Sequence, residues 1–510
     1  MSVDFELTKK NYCYNDITLN KKEKKMSTYD LVIKNGNVVI PYVGVQHADI
    51  GVIDGKIAAI QNDIDANDSD KFIDATGLHI FPGAIDSHFH IGIYRPFAED
   101  AESESASAAS GGVTTVLSYF RTGKDYLNKI GPYKEILPEL VDISEKSFVT
   151  DFGYHLACMT DEHLTEIDWL VKEGGVSTLK YYMFYKLITL AGATAEANSY
   201  LMINNSVDFG YLYRYMKEVA KANEKYKDYG GASLSIHCEN PEIIQATQGE
   251  VKANPCGIPM KDYSNARPPW QEELAINEAA IMAKHTNCPV NLLHLSSRLA
   301  VAAGVDVSKR YPEIDFLLEA TLHHLGLNND MELQQNAKVN PPIRSKADQD
   351  FLWQSLIDGT LKTVVSDHAC PPLERKEGDL WSCMPGFGGT SLMFPVLLND
   401  GFHKRGMPLH RIAEVSSANP AKYHNLYPKK GAIMVGSDAD FAIVDINKEQ
   451  EITLENLHTA QEFSPELGMN FKGWNQTTIL RGKVIFEKES VIGKPGGGRF
   501  IKRPVKLHYK

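Results

Sequence analysis

Hydrophobic and polar positions change rhythm twice along the chain. From Tyr29 to Phe81, short apolar runs alternate with polar residues in "DLVIKNGNVVI", "HADIGVIDGKIAAI" and "FIDATGLHIF", and the Asn-Gly and Asp-Gly pairs inside them are hairpin turn signals. The same texture returns near the C-terminus in "GSDADFAIVDI" and "TTILRGKVIFEKESVIG". Between these ends, strand-like runs such as "VTTVLSYF", "SLSIHCEN", "PVNLLHLSS" and "LKTVVSDHAC" are separated by amphipathic segments such as "EELAINEAAIMAKHTN". Repeated strand-and-helix units predict an α/β fold, a (β/α)8 TIM-like barrel, with a small β-sandwich domain formed by both terminal regions. A doubly wound open sheet is the rival, but no G-x-G-x-x-G turn follows a strand and no P-loop is present.

The predicted division assigns residues 27–82 and 426–490 to the small β domain and 83–425 to the barrel. Residues 491–510 form a C-terminal tail, in which "GKPGGGRF" reads as flexible. Residues 1–25 end in "KKEKK", lack the apolar core of a signal peptide and read as a disordered extension.

Composition narrows the function. The net charge of −12 argues against a nucleic-acid binder that works by neutralising phosphates, and no uninterrupted apolar run is long enough to span a bilayer. Seven cysteines without a C-x-x-C pair indicate neither a disulfide framework nor a cysteine zinc knuckle, so a reducing, cytoplasmic location is expected. A small-molecule partner fits this chain better than nucleic acid or membrane.

The candidate chemistry lies where strands end. In "FPGAIDSHFHIGI", His88 and His90 are one residue apart, and alternate residues of an extended chain share a face, so both imidazoles could converge on one ion. Further apolar runs end on Lys180, His237, His294 and Asp367. In a barrel the carboxyl ends of strands form one mouth, where active sites are built. Any one of these residues is more simply a capped or hydrogen-bonded strand end; together they point to a metal centre.

With these positions the chain resembles the binuclear amidohydrolase superfamily, and "LKYYMFYK", "HCEN", "LLHLSS", "NPPIR" and "VVSDHAC" are similar to its cyclic-amide branch of hydantoinases, dihydropyrimidinases and allantoinases. The resemblance runs from about Tyr29 to Arg503. It implies two divalent metal ions, with zinc the expected element, and Lys180 carbamylated and shared between them. It implies His88, His90 and Asp367 as ligands of one metal, and His237 and His294 as ligands of the other. It also implies a homo-oligomer, a tetramer or dimer.

Two such ions can hold a bridging hydroxide near neutral pH, because metal binding lowers the pKa of water from 15.7 towards ~7. Asp367 is then expected to take the proton of this nucleophile and pass it to the departing ring nitrogen. By the resemblance, Tyr185 donates to the oxyanion and Asn340 stands where the ring imide is read. Tyr185 favours a dihydropyrimidine or 5-substituted hydantoin, while "SDHACPPLERK" and "GFGGT" resemble the allantoinase pattern and keep allantoin as the alternative. Dihydroorotase is disfavoured because Gly92 stands where its carboxylate-binding arginine belongs. A non-catalytic dihydropyrimidinase-like scaffold is disfavoured because all six ligand positions are filled.

Overall fold

Eight runs buried along nearly their whole length become the strands Ala84–His90, Val113–Arg121, Asp151–Ala157, Thr178–Tyr182, Ser233–His237, Val290–Leu292, Phe316–Thr321 and Thr363–Val365. They pair in chain order as a parallel sheet, which requires apolar side chains on both faces because helices cover the outside. The ring closes between its first and last strands. The His90 N–H donates to the His368 carbonyl at 2.9 Å, and the buried Asp86 carboxylate accepts the N–H and hydroxyl of Ser366. This is the predicted (β/α)8 barrel. The structure is a computed structural model that describes residues 27–184 and 207–509; residues 1–25 and Tyr185 lie outside the described residues.

Among the covering helices, Pro269–Thr286 contains the segment read as amphipathic. It buries Ala275, Ile276, Ala279, Ala280 and Ala283 and stops at Asn287, whose φ of 59° ends the helical path.

Strands from both termini merge into one nine-stranded mixed sheet, in which His79–Pro82 lies between Leu31–Ile40 and Phe441–Glu451. Leu31, Ile33, Val38, Ile50, Val52, Ile80, Phe441, Ile443 and Ile479 share a core separate from that of the barrel. Asp54 and Gly55 turn the chain between Gly44–Ile53 and Lys56–Gln61 as the sequence predicts. The Asn-Gly pair behaves differently: Asn35 and Gly36 lie inside the continuous strand Leu31–Ile40, at a bulge. Asn35 takes φ 59° and donates its N–H to Asp49 Oδ1, while a Cβ on Gly36 would lie 2.1 Å from Ile80 Cδ1. The pair therefore serves a bend and a close approach instead of a hairpin.

The C-terminal segment read as flexible is docked. Gly498 N–H donates to the Phe148 carbonyl at 3.0 Å, Phe152 N–H to the Arg499 carbonyl at 3.0 Å and Ile501 N–H to the Phe152 carbonyl at 2.8 Å. A Cβ on Gly498 would lie 1.9 Å from the Thr150 carbonyl oxygen, so this glycine permits contact. Arg503 is fully buried and binds the Tyr154 carbonyl and the Thr178 hydroxyl.

Where the sheet meets the amino-terminal end of the barrel, the buried Lys430 amine bonds Asp151 at 2.5 Å, Asp440 at 2.6 Å and Asp438 at 3.0 Å. Arg481 also pairs with Asp151. Removing one member of a buried ion cluster leaves uncompensated charge. Lys430→Met is expected to destabilise the protein by about 3–5 kcal/mol, read as a lower thermal midpoint; an unchanged midpoint would contradict this account of the junction.

Candidate metal centre

The carboxyl ends of the barrel strands bring His88, His90, Lys180, His237, His294 and Asp367 to one mouth. The His88 ring centroid lies 5.4 Å from that of His90 and 5.3 Å from that of His294, which is 4.4 Å from His237. The Nε2 atoms of His88 and His90 are each 3.1 Å from Asp367 Oδ1. Ligand atoms of His88, His294 and Asp367 lie within 4.8 Å of one another. Tyr119, on the second barrel strand, packs between members of this group, 4.5 Å from the His88 ring and 4.2 Å from Lys180 Nζ.

The strands end differently from the sequence reading. Lys180 lies in the middle of Thr178–Tyr182, while His294 and Asp367 lie two residues past Val290–Leu292 and Thr363–Val365. Both take left-handed backbone, with φ of 38° and 51°. For a residue with a side chain this conformation costs on the order of 1 kcal/mol. Strain of that kind collects at functional sites, and here it falls on two residues of the cluster.

Two carboxylates behind the histidines fix their ring orientation. Glu319 Oε1 lies 2.8 Å from His88 Nδ1 and accepts the His294 N–H at 3.3 Å. Glu239 Oε2 lies 2.9 Å from His237 Nε2. Such contacts select a tautomer, leaving Nε2 of His88 and Nδ1 of His237 as the nitrogens able to bind a cation. Sequence reasoning missed both carboxylates, and each had left a signal: Glu239 follows His237 by two residues in "HCEN", and Glu319 is a lone acid in the apolar run "FLLEAT".

The electrostatics favour an added cation. Burial lowers the pKa of Lys180 to about 7, although Asp367 and Glu319 favour its charged form. Burial also pushes His88 and His294 well below the usual histidine range, assisted by nearby cationic groups. His237 is lowered by burial against the opposing pull of Glu239. For Asp367, burial disfavours the carboxylate, yet the hydrogen bond and charge of His90, with His323 and Lys180, hold its pKa below the ordinary value. Lys180 Nζ is buried without a hydrogen-bond partner among the described residues, as are Nδ1 of His90 and of His294. Imidazoles, one carboxylate and this buried amine form a donor set that fits borderline divalent metals.

Asn340, a predicted substrate contact, is half-buried, and its Oδ1 lies 2.5 Å from the Tyr263 hydroxyl. A cavity of about 610 Å³ opens along the loop after His90, lined in part by Gly92, Tyr94, Arg95, Lys124 and Arg375, and none of the six cluster residues lines it.

Comparison with known proteins finds relatives over most of the chain. Residues 79–485 match the amidohydrolase family. An allantoinase from Bacillus licheniformis is 31% identical across 93% of this chain and 99% of its own. A D-hydantoinase from Geobacillus stearothermophilus is 30% identical across 92% and 96%. Among solved structures, an L-hydantoinase from Arthrobacter aurescens superposes with a TM-score of 0.80 at 29% identity, covering 93% of this chain and all of its own. A D-hydantoinase structure gives a TM-score of 0.81 at 26% identity, covering 93% and 99%. With the barrel, the strand-end cluster and a match over most of its length, this chain belongs to the amidohydrolase family.

Proposed function

We propose that the protein adds water across a ring C–N bond of a cyclic amide or ureide, using two divalent metal ions held at the barrel mouth. The observation that carries this reading is the packing of His88, His90, His237, His294 and Asp367 around a buried Lys180 amine that has no hydrogen-bond partner among the described residues. His88, His90 and Asp367 would hold one ion, His237 and His294 the other, and Lys180, carbamylated by carbon dioxide, would serve both. Zinc suits this set of imidazole and carboxylate donors. When bound, such ions polarise a carbonyl oxygen and acidify water.

The chain's own groups supply the rest. Carbamylation needs a neutral amine: Nζ forms a bond to the carbon of carbon dioxide and loses a proton. The low pKa of Lys180 makes that amine available near neutrality. Asp367, kept ionised by His90, accepts a proton on its carboxylate from the attacking water and returns it to the departing ring nitrogen. Glu319 and Glu239 hold the His88 and His237 rings in place while this happens.

Tyr185, five residues after Lys180, is the donor to the developing oxyanion in this reading. A donor of that kind is worth ~2.7–4 kcal/mol of transition-state stabilisation. It favours a dihydropyrimidine or a 5-substituted hydantoin as the ring. Allantoin is the second reading, favoured by the allantoinases among the relatives.

A hydrolysis panel of dihydrouracil, 5-substituted hydantoins and allantoin tests the proposal. The expected result is ring opening of the first two in preference to allantoin, abolished in Asp367→Asn, whose amide cannot carry the proton. Preference for allantoin would select the second reading, and substantial activity in Asp367→Asn would remove that residue from proton transfer. A second expectation concerns pH. The Lys180 amine is protonated below its pKa and neutral above it, so metal uptake by metal-free protein supplied with bicarbonate should rise as pH passes upward through about 7. An ordinary lysine would place that rise near ~10.4; uptake independent of pH across the neutral range would contradict the carbamate.

A further inference from the structure

The "SDH" run that supplies Asp367 also supplies His368, a buried histidine outside the cluster. Asp367 turns its carboxylate to His88 and His90, whereas the His368 ring stacks on Phe89, with centroids 4.6 Å apart and planes within 6°. Both His368 nitrogens are engaged. Nδ1 accepts the N–H of Gly389 at 3.1 Å and of Thr390 at 3.4 Å, so the proton sits on Nε2, which donates to Glu104 Oε2 at 2.7 Å. A Cβ on Gly388 would lie 2.8 Å from His368 Cε1, so glycine lets this loop close on the ring. Glu104, on the helix Phe97–Ser110, is fully buried. It accepts three further bonds, from the Ser103 hydroxyl at 2.8 Å, the Thr459 hydroxyl at 2.6 Å and the Ala460 N–H at 3.0 Å.

The main chain of His368 reaches the cluster. Its carbonyl accepts the His90 N–H at 2.9 Å, and its N–H donates to Ser366 Oγ at 3.0 Å. Ser366 is bonded in turn to Asp86, a carboxylate that also accepts the Thr390 hydroxyl at 2.8 Å. Asp367, with its left-handed φ of 51°, therefore stands between two anchored neighbours. His90, whose Nε2 lies 3.1 Å from Asp367 Oδ1, is tied to the second of them. A residue keeps such a backbone conformation only where its surroundings over-determine it. Asp86 secures one flank through Ser366, and Glu104 secures the other through the ring of His368.

We propose that His368 and Glu104 are a positioning pair for the barrel mouth: Glu104 fixes the His368 ring, and the ring fixes the backbone from which Asp367 and His90 present their donor atoms. Through Thr459 and Ala460 the pair also ties that backbone to the segment ahead of the terminal-sheet strand Asn470–Leu480. With both its nitrogens engaged, His368 acts through its backbone and not as a ligand. The inference rests on the reading of Asp367 as metal ligand and proton carrier, and adds the group that keeps it in place. A misplacement of about 1 Å at a reacting group can cost about 100-fold in rate.

His368→Phe keeps a ring on Phe89 and removes both nitrogens, while Glu104→Gln keeps the shape of the acid and weakens what it can accept. In the zinc-loaded proteins, assayed well below their melting temperatures, His368→Phe should lower kcat about 10–100-fold with KM within about twofold of the wild type. It should also release one of the two zinc ions to a chelator about 10–100-fold more readily. Glu104→Gln should show smaller losses of both kinds, and adding it to His368→Phe should cost little more, because the two act through one contact. A lowered melting temperature with kcat and zinc release unchanged would make the pair a fold-stabilising contact only and overturn the proposal, as would additive losses in the double variant. If His368→Phe does not fold, Glu104→Gln decides alone, and unchanged kcat and zinc release in it would overturn the proposal. If the wild type opened no cyclic ureide, the functional reading would fall, while zinc release from the variants against the wild type would still decide the role of the pair.

Discussion

A lysine amine removed from water must lose its charge or find a counter-charge beside it, and Lys180 meets that constraint at the centre of the barrel mouth. It is 1% exposed and has no hydrogen bond among the described residues. The carboxylates within reach favour its charged form, but burial outweighs them and brings its pKa to about 7. The same burial keeps His88, His237 and His294 on the neutral side. The result is a group of lone pairs around a nucleophilic amine, an arrangement that positive charge would stabilise. The carboxylates behind the histidines are placed for that purpose: Glu319 and Glu239 contact the ring nitrogens turned away from the cluster.

Several contacts that tie the barrel to the terminal segments lie away from this mouth. At the amino-terminal end of the barrel, Lys430 gathers Asp151, Asp438 and Asp440, and Arg503 from the C-terminal segment fills space beside Tyr154 and Thr178. At the other end, backbone strain is tolerated at His294 and Asp367. Asp86 and Ser366 close the ring next to Asp367, so the closure of the barrel and the placement of the proposed proton carrier depend on the same few residues.

The barrel was legible because its strands are short apolar runs separated by helical ones, a local pattern. The cluster was legible because histidines, a lysine and an aspartate stand at or near the ends of such runs, and strand ends share a mouth. What the sequence hid was set by contacts distant along the chain. "NGN" reads as a hairpin, but Ile80 presses on Gly36 and Asp49 holds Asn35, so the strand continues through a bulge. "GKPGGGRF" reads as flexible, but its glycines allow backbone contact with the barrel near Thr150. Lys180 reads as the end of its strand because it is the charged residue that breaks the apolar pattern, whereas the buried aromatic rings of Tyr181 and Tyr182 extend it. The contacts of Arg267 with Glu239 and of Tyr263 with Asn340 join residues 28 and 77 positions apart in numbering, and no spacing rule reports them.

The central claim is that this cluster is a two-metal centre built on a modified lysine. The most direct measurement is anomalous X-ray scattering at the zinc edge from crystals of the zinc-loaded protein. The account predicts two peaks, one among His88, His90 and Asp367 and one between His237 and His294, with continuous density for a carboxylate on Lys180 reaching both. A single peak beside an unmodified Lys180 would contradict it.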